Sequence, residues 1–301
     1  MDRFIKYDIP GSYPTIKHFL REKRYPRAIL MQLKYQTAPG SPQVLLNENP
    51  VPLWKPLQKG DHLEITIWEE TESSLQLVPV HIPLNIAYED EDILVIDKPS
   101  GMSIHPSANH YEDSLANAVL GYYSDKNESI VFRCINRLDK ETSGLTIIAK
   151  NRLSAAILGA DVKNKDIYRE YRAIVEGNLP ADGTWHKIDA PIARMPGSAL
   201  MRHVDFNEGK PAVTWYQVLK TSPRCSLLKL RLETGRTHQI RVHMTYIGHP
   251  LPGDYLYNPV YDDIHRVPLH SCRLRFTHPI TGETINLSSP IPEDMNTIIN
   301  L

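Results

Sequence analysis

The chain has 301 residues, 41% hydrophobic and 23% charged, with 35 acidic and 34 basic side chains and a formal net charge of −1. That length suits two domains better than one, and the composition excludes a disordered, collagen-like or disulfide-stapled chain. Three cysteines without C-x-x-C spacing argue against a disulfide framework or thiolate zinc site and fit a reducing cytoplasm, and no stretch reaches the ~18 apolar residues of a membrane span.

The near-zero net charge hides a segregated pattern. Residues 1–60 carry ten Lys/Arg against four Asp/Glu, residues 61–92 carry nine acids and no Lys/Arg, and the rest is nearly balanced. The amino terminus, Asp2, Arg3, Lys6, Asp8, has no apolar run behind it, so a soluble, unexported protein is expected. From 15 to 34, Ile16, Phe19, Leu20, Ile29, Leu30 and Leu33 recur at helical spacing among Lys17, Arg21, Lys23, Arg24, Arg27 and Lys34. This predicts one or two short helices with a basic outer face. A turn at Pro39-Gly40-Ser41-Pro42 leads to a strand at Val44-Leu45-Leu46, and Leu63, Ile65 and Ile67 alternate through another that starts near 59–61. Pro79 and Pro83, in an acidic neighbourhood, mark an exposed linker. The expected organisation is a small module at 1–75, a linker at 76–85 and a larger domain at 86–301.

In that domain, residues 86–97 read as a strand, an acidic turn and a second strand ending in Asp97-Lys98-Pro99-Ser100-Gly101, and 114–124 reads as a short amphipathic helix. Then comes Asn136-Arg137-Leu138-Asp139-Lys140-Glu141-Thr142-Ser143-Gly144, which runs into an apolar strand at 145–149. It sets a guanidinium and a carboxylate on a loop at the rim of a rigid element, with Gly144 allowing a sharp turn. Taken alone, an Asp that caps a turn beside a surface Arg has the same appearance. A strand follows at 169–177, and another, alternating at Leu228, Leu230 and Leu232, leads through Gly235-Arg236-Thr237-His238-Gln239-Ile240-Arg241-Val242-His243 into a helix expected to make about three turns. On it, Arg236 and Arg241 would face different sides. His238 and His243 are five residues apart, which does not fit the i, i+4 spacing of a two-histidine zinc helix, so both read as structural or RNA-contacting. A Gly/Pro-rich loop follows, Gly248-His249-Pro250-Leu251-Pro252-Gly253-Asp254 and on to Tyr257.

These segments, in this order from about 86 to 290, resemble the pseudouridine synthase family that modifies large-subunit ribosomal RNA and some tRNAs. The amino-terminal pattern resembles the small RNA-binding module shared by a small-subunit ribosomal protein and several RNA-modifying enzymes, with Tyr25-Pro26-Arg27 where such modules often carry Ser-Arg. The resemblance implies an α+β fold, with a mixed, largely antiparallel central sheet flanked by helices and loops. It implies an isomerase that breaks the glycosidic bond of uridine, turns the uracil and rejoins it through carbon 5.

Carried over position by position, the resemblance makes Asp139 the nucleophile. Tyr171 becomes the active-site tyrosine that stacks on the base and serves as general base, and Arg241 the partner that keeps Asp139 ionised. Arg137 would enter the gap left by the extruded nucleotide, with Asn136, Arg236, His238 and Lys98 as further RNA contacts and Leu138 and Ile240 packing beside the site. Asn136 stands where many family members carry His. No dinucleotide loop, Walker lysine motif or metal cluster is visible, so no cofactor and no metal are expected. The expected partner is RNA, rRNA ahead of tRNA, with no membrane and a monomeric state. A non-catalytic ribosome-assembly factor and a tRNA-specific synthase are the alternatives.

Overall fold

The computed structural model describes residues 2–35, 43–69, 77–107, 110–259 and 264–300. The expected turn at 39–42, and the boundary expected at 75–76, lie outside the described residues. The chain opens with β1 (Arg3–Asp8), α1 (Ile16–Glu22), α2 (Arg27–Tyr35), β2 (Val44–Leu46), β3 (Asn49–Pro50) and β4 (His62–Ile67), whose sheet runs β1-β4-β2-β3. Both helices follow the predicted spacing. Thr15 caps α1 by accepting from the His18 N–H at 3.0 Å, the six apolar positions are buried, and the six predicted cations face solvent. Asn47 and Glu48 both take positive φ (48° and 68°), the backbone of a two-residue hairpin turn, and so close β2 onto β3. β1 is absent from the sequence-based expectation because charges interrupt its alternation: Ile5 is buried, while Phe4 is 63% exposed.

The body continues with β5 (Ile86–Glu89), β6 (Ile93–Lys98), α3 (Leu115–Asp125), β7 (Ser143–Ala149), α4 (Arg152–Asn164), β8 (Tyr168–Glu176), β9 (His186–Asp189), β10 (Ile192–Arg194), β11 (Arg202–Val204), β12 (Val213–Thr221), β13 (Cys225–Leu232), α5 (Gln239–Tyr246), β14 (Leu269–Thr277), β15 (Thr284–Ser288) and α6 (Glu293–Asn300). Its nine-stranded sheet runs β5-β6-β7-β14-β8-β13-β12-β9, with β15 added to β14. Among the described strands, β7 with β14 is the one parallel pairing. The fold is thus α+β with a largely antiparallel sheet. β7 is buried along its whole length, as its continuous apolar run requires of a central strand.

Residues 77–84 are not an exposed linker. Pro79 and Pro83 point outward, but Leu77, Ile82 and Leu84 pack on the α3 side of the core. The backbone is pinned too: the Val80 N–H donates to the Asn117 carbonyl at 3.1 Å, and the Asn117 side chain donates back to the Val78 carbonyl at 2.8 Å. Alternation at period two in an extended segment produces this half-burial.

The amino-terminal module docks on α4. Leu153 and Ile157 of that helix complete the module's own apolar core. Arg3 donates to both oxygens of Asp92 at 2.8 and 3.0 Å, Arg24 pairs with Asp161, and Glu69 accepts from Arg133 and from the Arg152 N–H. Glu69 and the Asn151 cap together satisfy donors at the start of α4, where a carboxylate also complements the helix dipole.

Gly144 sets the distance between β7 and β14. It sits at φ +107°, and a Cβ there would lie 2.3 Å from the Ser271 carbonyl oxygen. Gly144→Ala combines backbone strain with a clash against main chain, so it should destabilise the protein by at least ~2 kcal/mol. Urea unfolding of the variant checks this, and a loss under ~0.5 kcal/mol would show that the strands can part.

Candidate active site

The segment that leads into β7 is held from both sides. Asn136 is 2% exposed, and its side chain is spent on the strand it precedes: Nδ2 donates to the Leu145 carbonyl at 3.1 Å, and Oδ1 accepts from the Ile147 N–H at 2.8 Å. The expected RNA contact at Asn136 is therefore corrected. Its amide fastens the loop to the sheet and is buried away from any phosphate. Lys98 requires the same correction. It is fully buried, and Nζ donates to the carbonyls of Pro99, Met102 and Lys140 at 2.7, 2.8 and 3.1 Å. Apolar strand on one side and loop carbonyls on the other draw it inward, where it ties the 99–102 turn to the Asp139 loop. Gly101 N–H and Ser100 Oγ add bonds to the carbonyls of Lys140 and Glu141 at 2.9 and 2.6 Å.

Asp139 emerges from this frame with its side chain 28% exposed, and its Oδ2 lies 3.5 Å from Nη1 of Arg241. The stronger partner of Arg241 is Asp254. Nε and Nη2 donate to its two oxygens at 2.7 Å each, and Arg241 and Asp254 are 2% and 0% exposed. Asp254 also accepts from the N–H groups of Leu256 and Tyr257 at 3.1 and 3.3 Å. Burial opposes the charge on Arg241, yet hydrogen bonding and the charges of Asp254 and Asp139 outweigh it and raise the guanidinium pKa above its ordinary value. Sequence reasoning missed Asp254. The available signal was that a buried arginine demands an acid, and the motif through Gly253 and Tyr257 contained one.

Arg241 reaches this position from a shorter helix than expected. His238 adopts the left-handed region (φ 56°), so α5 begins at Gln239 and makes about two turns. Gln239 anchors the start, accepting from Thr234 Oγ1 and the Arg236 N–H and donating to the Val213 carbonyl. Arg236 thus precedes the helix instead of lying on another of its faces; it is exposed, with Nε on the Pro211 carbonyl at 3.1 Å. His243 is buried between Thr214 Oγ1 and the Ala190 carbonyl and is structural.

Asp139 opens into a cleft of about 860 Å³. Leu138, Tyr171 and Ile240 form one apolar cluster at its floor, and the exposed Arg137 and Arg236 stand on its rim. His238 lines it half-buried, with Nδ1 3.0 Å from the Tyr257 hydroxyl; burial lowers its pKa and favours the neutral ring. Tyr171 is 5% exposed, and burial raises its phenol pKa. That burial disfavours a tyrosinate at Tyr171 in the free protein. His105 and Arg169, not anticipated from sequence, also face the cleft. Asp90, Asp92 and His278 come together outside this cleft, but Asp92 accepts from Arg3 and Asn151, and Asp90 from Tyr88 and two backbone N–H groups. With His278 Nε2 also 2.9 Å from Asp90 Oδ2, the cluster is bonded within the protein.

Lys98 yields a test of the frame. Burial pulls its pKa down to about 7, only partly offset by Glu141 and Asp139. Between about pH 7 and pH 10 the unfolded chain therefore holds a proton that the folded chain releases, and stability contributed by this group rises with pH. Relative to Lys98→Met, wild type should gain unfolding free energy across that window in urea titrations. A flat difference would place the ammonium in a solvated site.

A family model described as RNA pseudouridylate synthase matches residues 92–246. "Uncharacterized RNA pseudouridine synthase YjbO" of Bacillus subtilis (strain 168) is 38% identical over 286 residues, 95% of this chain and 98% of that one. Ribosomal large subunit pseudouridine synthase D of Haemophilus ducreyi is 40% identical over 250 residues, 78% of this chain and 76% of that one. The solved structure of human RNA Pseudouridylate Synthase Domain Containing 1 superposes with a TM-score of 0.56 at 27% identity, covering 69% of this chain and 83% of that one. Relatedness of this extent, on a fold that frames an Asp139 cleft, places the chain in the RNA pseudouridylate synthase family, as an isomerase that converts uridine in RNA to pseudouridine.

Proposed function

We propose that the protein acts on specific uridines of 23S rRNA in the cytoplasm, with Asp139 as nucleophile and with extrusion of the target nucleotide. The observation that carries this reading is Asp139 itself. It is a solvent-reaching carboxylate at the mouth of the cleft, beside a guanidinium whose charge Asp254 already holds in place. The choice of rRNA rests on relatives named as ribosomal large subunit synthases.

In this reading the uridine leaves its helix and enters the cleft, and Arg137 fills the space behind it, offsetting part of an unstacking cost of roughly a few kcal/mol. The Asp139 carboxylate forms an adduct with the nucleotide or stabilises the positive ribose as the glycosidic bond breaks. Leu138, Tyr171 and Ile240 confine the freed uracil by apolar contact, so it turns without escaping. Tyr171 acts as a neutral ring against which the base stacks. Carbon 5 then bonds to the ribose and gives up its proton to solvent, while N1, freed from the ribose, takes one up. No atom is gained or lost overall.

The basic helical face of the amino-terminal module supplies a second RNA contact in this proposal. Because α4 completes the module's core, deletion of the module would damage both parts, and surface substitutions are the cleaner probe.

Asp139→Asn should keep RNA affinity and melting temperature while product formation falls roughly a thousandfold or more. Carbodiimide primer extension on rRNA and tRNA from a deletion strain, with and without each gene copy, reads the outcome. Unchanged modification everywhere would defeat the proposal, and changes confined to tRNA would replace rRNA as the substrate. Arg21→Gln with Arg27→Gln should lower the log–log salt slope of binding by about 0.7–0.9 for each phosphate that is no longer neutralised. An unaltered slope would remove the module from the RNA interface.

A further inference from the structure

β8 runs along the cleft with Arg169 and Tyr171 on one face and Tyr168, Glu170 and Arg172 on the other, as strand alternation dictates. The second face is neutralised internally. Glu170 accepts from the Tyr168 hydroxyl at 2.6 Å and Arg172 at 2.7 Å, and Lys229 stands 3.4 Å away. Arg169, on the cleft face, has no hydrogen-bond or ion-pair partner among the described residues, and its Nε is shut off from solvent without an acceptor. Arg3, Arg133, Arg172, Arg241 and Arg266, similarly withdrawn from water, are each paired with a carboxylate. A half-buried guanidinium left alone costs free energy, and proteins keep such a group where a ligand supplies the missing charge.

The surroundings specify that charge. The guanidinium of Arg169 lies beside Gly235, at the entry to α5, and exposed Lys163, Lys165 and Arg236 line the same cleft, Lys165 standing 3.4 Å from the Glu233 carboxylate. Cations outnumber the carboxylates of Asp139 and Glu233 in this lining and favour an anion, and the planar guanidinium fork matches two oxygens of a phosphodiester. Arg169 precedes Tyr171 by two strand residues, about 7 Å, so an anion there sits within one nucleotide of a base stacked on the tyrosine. We infer that Arg169 binds the RNA backbone phosphate next to the target uridine, with Lys163 and Lys165 framing that seat. The inference rests on the RNA-modifying reading and adds a residue that fixes the register of the strand in the cleft.

Binding and turnover of an in vitro transcript of large-subunit rRNA test the inference with Arg169→Met and Arg169→Lys. Arg169→Met should raise KM by roughly 10- to 100-fold with kcat nearly unchanged, and reduce the salt slope by about 0.7–0.9. Its melting temperature should stay level or rise, because the arginine has no internal partner to leave behind. Arg169→Lys should recover part of the affinity as a point charge without the fork. In a stem-loop carrying the mapped uridine, one uncharged methylphosphonate beside it should weaken binding to wild type and leave Arg169→Met indifferent. Equal KM and equal slope for wild type and Arg169→Met would overturn the inference. So would a lowered melting temperature with the slope intact, which marks a structural arginine. Absence of pseudouridine in every RNA offered to wild type would instead defeat the rRNA reading, and the binding slopes would still decide the role of Arg169.

Discussion

The cleft depends on one buried ion pair. Arg241 and Asp254 are both withdrawn from water, which costs several kcal/mol per ion unless the geometry returns it. Here it does: the fork of Arg241 grips both oxygens of Asp254, and backbone N–H groups of the 254–257 turn satisfy Asp254 further. The pair joins α5 to the loop after it and leaves one guanidinium nitrogen facing Asp139 at 3.5 Å. Asp139 therefore meets a fixed positive charge without a close bond that would have to break before reaction. A direct fork from Arg241 to Asp139 would hold that carboxylate more tightly and leave it less free to turn toward the cleft. Removing either member of the buried pair strands a charge in the interior, at a cost of about 3–5 kcal/mol.

Around that pair the polar groups divide into those that build the frame and those that face the cleft. Asn136 and Lys98 consume their hydrogen bonds on main chain, Gln239 ties the start of α5 to β12, and Glu170 absorbs the charges on the far face of β8. Arg137, Arg169 and Arg236 present cationic groups to the opening. The net charge of −1 is thus a poor guide to the surface an RNA meets.

Much of this was legible in the sequence where local rules decide. The helices at 16–22, 27–35 and 115–125 follow apolar spacing, and the strands at 63–67 and 228–232 follow alternation. Asp139, Tyr171 and Arg241 do converge on one cleft, though spacing alone did not place them; the resemblance did. What remained hidden was set by distant contacts. The inward turn of Lys98 depends on how the 99–102 turn folds back and on the Lys140 carbonyl 42 residues away, and that of Asn136 on the strand that follows it, neither of which residue type and spacing reveal. The shortened α5 depends on the left-handed conformation of His238, which propensity disfavours and which accompanies the ring's bond to Tyr257. The half-buried 77–84 segment was masked by its two prolines, whose outward placement says nothing of the residues between them.

The sharing of α4 has a bearing on how the chain is made. The module leaves the ribosome before α4, yet its apolar core is completed by Leu153 and Ile157, some ninety residues after Ile67. At a synthesis rate of ~5–20 residues per second, the nascent module waits roughly 5–20 s with part of that core uncovered. Its basic helices keep it charged during the interval, which favours solubility while the missing helix is being translated.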